Sequence, residues 1–229
     1  MIIPETTLHL YAPIVFISIL IGVFAACALM HKAGVSRQTV LYTALLTFVM
    51  IVVVSFMMSV ILNGSIFKIG FVGAGGALGL MLGAVISAWI HREKVPDSVA
   101  AWIVSAPLMY ALSKVACHVT GCCNGIPYDG PLHVAYESKG GASFFPVQLT
   151  ETVVFLMIFV IGLVLYLKLT NRMRAAVITV VLSCIAKVGL EYLRQSHMGK
   201  TISGYQILVI VLAVIFIAIS IPVGKISEE

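Results

Sequence analysis

The sequence predicts an all-α, polytopic membrane protein: about seven transmembrane helices around a lipid-accessible cavity, with a small outer loop at 119–146. Three observations carry that expectation. Hydrophobic residues make up 61% of the 229 and charged residues only 10%, whereas a soluble domain carries about a quarter charged residues; mean hydropathy is +1.11. Seven apolar runs each approach the ~20 residues needed to cross a hydrocarbon core. No polar linker, low-complexity tract or clear internal repeat divides them, so residues 1–229 read as a single integral membrane domain.

The first run, 10–30, follows "MIIPETTLHLY", which has no basic flank and carries Glu5; it reads as a retained helix rather than a cleaved signal. Tyr11 stands at its start. The second, 39–62, is apolar throughout. The third, 69–90, opens with "GFVGAGGALGLMLGA", placing Gly70, Gly73, Gly75, Gly76, Gly79 and Gly83 at small-xxx-small spacing. That spacing permits close helix packing, and the Gly75–Gly76 pair can also present backbone N–H groups to an anion. The fourth, 98–118, holds Lys114 near its end. In "FFPVQLTE", Pro146 suits the first turn of the fifth helix, 147–169. Glu151, about a turn in, complements the helix dipole, while Gln148 has no local partner. The sixth, 175–194, sets Lys187 and Glu191 four apart on one face, with Arg194 three further on. The seventh is 203–223.

Counting Lys and Arg between these runs sets the orientation. With the N-terminus outside, the inner side holds eight: Lys32, Arg37, Arg92, Lys94, Lys168, Arg172, Arg174 and Lys225. The outer side holds five: Lys68, Lys114, Lys139, Arg194 and Lys200. The bias favours N-out, C-in. It also accounts for the net charge of +5 without nucleic acid, for which no basic patch interleaved with aromatics exists.

Ionisable groups inside spans are costly and face the protein interior or a wet cavity. Lys114, Glu151, Lys187 and Glu191 are such groups. They read either as a self-neutralising stripe or, with Arg194, as a cation cluster that holds a lipid phosphate. "ACHVTGCCNGIPYDG", Ala116–Gly130, gathers three of the five cysteines with His118. Four readings stand side by side for Cys117, Cys122 and Cys123: close packing around Gly121 and Gly125, a disulfide, a nucleophilic Cys122 activated by Lys114 or His118, and a zinc site. Adjacent Cys122 and Cys123 suit one chelate poorly, so no metal and no cofactor is expected.

Taken in order, "LHLYAPIVF" (Leu8–Phe16), "GAGGALG" (Gly73–Gly79), "SKVACHVTGCCNG" (Ser113–Gly125), "FPVQLTE" (Phe145–Glu151), "AKVGLEYLRQ" (Ala186–Gln195) and "YQIL" (Tyr205–Leu208) resemble the prolipoprotein diacylglyceryl transferase family. The family's H-G-G-L-x-G appears with Ala74 at the histidine. In its next signature Lys114 stands for an arginine, Cys117 for an asparagine and Cys122 for a glutamate. H-P-x-Q-L-Y-E appears with Phe145 and Thr150 substituted and with Pro146, Gln148 and Glu151 kept. R-x-x-x-E-x-x-R reads Lys187, Glu191, Arg194. Lysine keeps the charge of arginine but not its planar fork.

The resemblance implies a seven-span enzyme of the bacterial plasma membrane with an outside N-terminus. It would move a diacylglyceryl group from phosphatidylglycerol, or a related anionic phospholipid, to a lipobox cysteine of a preprolipoprotein, releasing glycerol phosphate. On these residues, Tyr11, Gly75, Gly76, Lys114, Gln148, Lys187 and Arg194 are expected at the lipid phosphate. Lys114, His118, Cys122, Glu151, Lys187 and Glu191 are expected to carry the chemistry, with His118, at a position the family does not use, as a candidate base and Glu191 or Glu151 as its orienter or an alternative base. Two alternatives stay open: a repurposed, non-catalytic lipid-binding protein, and a membrane thiol-redox or metal protein using Cys117, Cys122 and Cys123.

Overall fold

Seven helices, each long and apolar enough to cross a membrane, form the protein in the computed structural model, which describes residues 2–3, 9–65 and 70–225. They are α1 (Tyr11–Lys32), α2 (Arg37–Asn63), α3 (Gly73–His91), α4 (Val95–Thr120), α5 (Val147–Lys168), α6 (Arg172–Glu191) and α7 (Gly204–Lys225). Six helices follow the expected runs to within about three residues, and α3 begins four residues later than its run. Glu5, Leu8 and Lys68, used in the sequence reading, lie outside the described residues.

The helix ends follow local chemistry. Ser36 caps α2 by accepting from the Thr39 N–H, and Gly64 closes it in the left-handed conformation that only glycine adopts cheaply. Asn171 caps α6 through the Met173 N–H. At α7, the Ser203 hydroxyl accepts from the Gln206 N–H at 3.2 Å while the Gln206 side chain accepts from the Ser203 N–H at 2.9 Å. This reciprocal pair satisfies two backbone donors left over at the helix start.

α4 is the most buried helix, packed against α1, α3, α5 and α6. Large apolar side chains elsewhere point outward, among them Phe24, Leu41, Ile61, Val153, Ile207 and Val214. In lipid such a surface costs nothing, because the hydrocarbon is as apolar as the side chains.

The glycine stripe of the third run proves to be a packing surface. A Cβ at Gly79 would lie 2.3 Å from the Met50 carbonyl oxygen, and one at Gly83 would lie 2.7 Å from the Thr47 Cα. Gly75 belongs to the same contact, since a Cβ there would meet the Ser55 Cα and Met58 Cβ at 2.8 Å, while Gly76 packs on the Phe71 ring. α2 also holds the start of α3. Ser55 accepts from the Val72 N–H at 2.8 Å and donates to its carbonyl at 3.0 Å, and Ser59 accepts from the Gly70 N–H.

One bundle end joins the 33–36 and 92–94 loops. Glu93 accepts from the Thr39 hydroxyl at 2.6 Å and from the Ser36 N–H and hydroxyl, and Lys94 donates to the Ala33 carbonyl. The hydrogen bond from Thr39, with those from Ser36, holds the Glu93 carboxyl below the usual carboxylate range. A lowered folded value stabilises above the ordinary range and is lost as pH falls through the lowered one. Glu93→Gln is therefore expected to unfold at a lower temperature than the parent at neutral pH. The difference should vanish in acid, as read by thermal melts across pH in detergent.

At the other end the 119–146 segment carries a small sheet that hydropathy does not foretell. β2 (Val134–Tyr136) pairs in parallel with β1 (Ile2–Ile3) and antiparallel with β3 (Ser143–Phe144). Ile3, Val134, Tyr136 and Phe144 form its apolar core.

Candidate functional site

Five of the expected residues form one ionic cluster, in which three cations converge on the Glu151 carboxylate. Glu151, in the second turn of α5, is completely buried. Lys114 of α4 approaches its Oε2 at 3.2 Å, Lys187 of α6 contacts Oε1, and the Arg194 Nη2 donates to both oxygens at 2.8 and 2.9 Å. Glu191 lies one turn after Lys187, its Oε2 3.6 Å from the Lys187 Nζ and 3.4 Å from the Arg194 Nε. These last two are ion-pair contacts without hydrogen-bond geometry, since both Glu191 Oε2 and Arg194 Nε lack a hydrogen-bond partner. Three cations against two carboxylates leave one positive charge in excess. Complementing the helix dipole is therefore not what positions Glu151: it is the hub of a buried ionic cluster.

Arg194 reaches that hub from outside its expected helix. α6 stops at Glu191, a turn follows at 192–193, and the chain becomes extended at Arg194, where its backbone pairs with the 122–126 segment. The Ile126 N–H donates to the Leu193 carbonyl at 3.0 Å and the Gln195 N–H to the Asn124 carbonyl at 3.0 Å. This pairing joins residues some seventy positions apart, so no helical periodicity could announce it. Gly125 sits opposite Arg194 in it, and a Cβ there would lie 2.2 Å from the Phe145 carbonyl oxygen. Gly125→Ala is expected to destabilise by about 1–3 kcal/mol through overpacking. Thermal melts in detergent measure the loss.

Sequence reasoning missed Tyr110. Its hydroxyl donates to the Glu151 Oε1 at 2.9 Å, and the Lys114 and Lys187 ammonium groups stand 4.8 and 5.3 Å from its ring centroid. The available signal was its place four residues before Lys114, one turn away on the same helix face. Tyr205, within the quoted "YQIL", lies under Lys187 at 5.1 Å.

A cavity of ≈ 150 Å³ opens beside the cluster between α3, α4, α6 and α7. Its walls are apolar, from Ala74 and Leu80 to Ile103, Phe155 and Leu212, and among the described residues Lys187 is the charged group that lines it. α3 and α7, on opposite sides, touch only sparsely. The volume matches a benzene-sized guest.

The remaining expected residues lie elsewhere. Gln148, 1% exposed, donates to the Cys122 carbonyl at 2.9 Å, which ties the start of α5 to the thiol segment. Cys117, Cys122 and Cys123 are free thiols whose sulfur atoms all lie within 4.8 Å of one another. Tyr11 stands within electrostatic reach of all three rather than in the Glu151 cluster. The Cys122 sulfur accepts from the Thr120 hydroxyl at 3.7 Å, and the Lys114 ammonium is engaged by Glu151 instead. His118 follows Cys117, and its Nδ1 is buried without a hydrogen-bond partner; the oxygens of Glu151 are taken by Tyr110, Lys114, Lys187 and Arg194. Gly75 faces α2 and Gly76 the Phe71 ring, while Gly73 and Ala74 face the cavity.

A family model for prolipoprotein diacylglyceryl transferase matches residues 1–221. Among curated proteins, none matches the chain.

Proposed function

The chain belongs to the prolipoprotein diacylglyceryl transferase family, and from that premise we propose that it moves a diacylglyceryl group from an anionic phospholipid, phosphatidylglycerol in the first instance, to the cysteine thiol of a lipobox-bearing preprolipoprotein. The proposed setting is the bacterial plasma membrane, with the N-terminus outside and the C-terminus cytoplasmic. The observation that carries this reading is Lys187: a buried cation from a cluster with one excess positive charge, set at the edge of an otherwise apolar cavity. An anionic headgroup and an apolar glyceride need those two environments side by side.

In this reading lipid enters sideways between α3 and α7. The acceptor sulfur attacks the glycerol carbon, the carbon–oxygen bond to phosphate breaks, and glycerol phosphate leaves with the bonding pair. Lys114, Lys187 and Arg194 stabilise the charge that develops on the leaving phosphate, in a dry site where such groups are worth far more than in water. Glu151 is a positioning residue, because its oxygens already accept from Tyr110, Lys187 and Arg194 and pair with the Lys114 ammonium. Glu191 is a second positioning group, in ion-pair contact with Lys187 and Arg194, and the proton of the acceptor thiol leaves to solvent.

The test is purified protein in nanodiscs with a cysteine lipobox peptide. A mass gain of one diacylglyceryl group on the peptide is expected with phosphatidylglycerol and not with phosphatidylcholine, together with released glycerol phosphate. Phosphatidylglycerol retained by the protein without any product would sink the transferase reading and favour a non-catalytic lipid binder.

A further inference from the structure

The thiol cluster is the feature that this function leaves unused. Gly121 ends α4 with φ +68°, and both its N–H and that of Cys122 turn back to the Cys117 carbonyl. This folds Cys122 back over the last turn, next to Cys117. Cys123 then adopts φ +56°, a left-handed conformation that costs a non-glycine residue strain. In extended or right-handed backbone, consecutive side chains diverge; here the reversal at Cys123 brings the third sulfur to the other two. The chelation that adjacent cysteines suit poorly is thereby made possible.

We propose that Cys117, Cys122 and Cys123 form a three-thiolate site for zinc, with its fourth position open to the thiol of the acceptor. Zinc–sulfur bonds of about 2.3 Å in a tetrahedron put sulfurs about 3.8 Å apart. The three sulfurs, all within 4.8 Å of one another, close on one ion with shifts under about 1 Å. Three thiolates and one dication carry a single net negative charge. Lys114, one turn before Cys117, and Arg194 lie within electrostatic reach to offset it. Among the described residues no fourth His, Cys, Asp or Glu joins the group, and Cys123 is exposed. A zinc ion with three protein ligands and an open position is the arrangement of a catalytic rather than a structural site.

The use of that open position rests on the transferase reading. The acceptor thiol would bind there as thiolate, its proton leaving to solvent. Its sulfur would then form the bond to the glycerol carbon as the phosphate departs. Gln148, three residues before Glu151 on α5, donates to the Cys122 carbonyl and so ties the thiol segment to the helix that carries the ionic hub.

The experiment uses the full chain in detergent. After zinc loading and gel filtration, elemental analysis is expected to give about one zinc per chain. Cys122→Ser and Cys123→Ser should each lower it at least tenfold, while Cys27→Ser, far along α1, should leave it unchanged. Unfolding temperatures of the serine variants close to the parent's separate loss of zinc from loss of fold. Cobalt(II) in place of zinc should show thiolate charge-transfer absorption, and a cysteine lipobox peptide should shift its visible bands where the serine peptide does not. Zinc below about 0.1 per chain, or two thiols recovered only on reduction, would overturn the site. Bands indifferent to the cysteine peptide would overturn the open position. Diacylglyceryl transfer undiminished in zinc-free protein would overturn this inference while leaving the activity intact. Zinc bound without any transfer would retain the metal site and discard the transferase reading.

Discussion

Glu151→Gln is expected to cost about 3–5 kcal/mol of stability, the penalty for removing one partner of a buried ionic cluster. The neutral amide leaves Lys114, Lys187 and Arg194 with Glu191 as the remaining counter-charge, three cations against one carboxylate in a site closed to water. Glutamine also presents an NH₂ group where a cation now donates to oxygen. The variant should therefore melt well below the parent in detergent and show no measurable transfer. Glu151→Asp keeps the charge but withdraws it by one methylene, and should fall between the two. If Glu151→Gln melts with the parent, the cluster is not charged as drawn here.

Lys187→Met is expected to lower turnover by about 10²–10³-fold, the loss typical of removing one group that stabilises developing charge. Methionine fills much of the same space, so the apolar walls keep their packing. Lys187→Arg keeps the charge, and a partial rescue would separate electrostatics from shape. The comparison is made on kcat with saturating phosphatidylglycerol. A change confined to KM would move Lys187 from the transition state to simple headgroup binding.

Two substitutions at similar residues thus probe different things, because their places in the cluster differ. Glu151 is the hub and its loss is felt first as stability. Lys187 lines the cavity and its loss is felt first as rate. Neither assignment follows from spacing along the chain. Lys187 and Glu191 share a face by the helical repeat, and that much was legible. Arg194 extends the same arithmetic by three residues yet lies beyond the helix, held by backbone pairing with Gly125. Tyr110 completes the hub from a position that the hydropathy of its run does not mark. The thiols show the converse: adjacency argued against a single chelate, and a left-handed residue at Cys123 removed the objection.

By itself, the sequence determined the seven spans, the family and the inventory of buried charges. These are set by quantities summed along the chain: about 20 apolar residues are needed to cross the bilayer, and a lysine inside such a run must find a partner wherever it lies. Tertiary structure decided which partner. It gathered Lys114, Lys187 and Arg194 onto Glu151, packed Gly75 on α2 and Gly76 on Phe71 rather than on an anion, and drew three sulfurs together around the end of α4. A buried charge selects its counter-charge by distance in space, and helix packing, capping glycines and one strand-like pairing between distant loops fix those distances here.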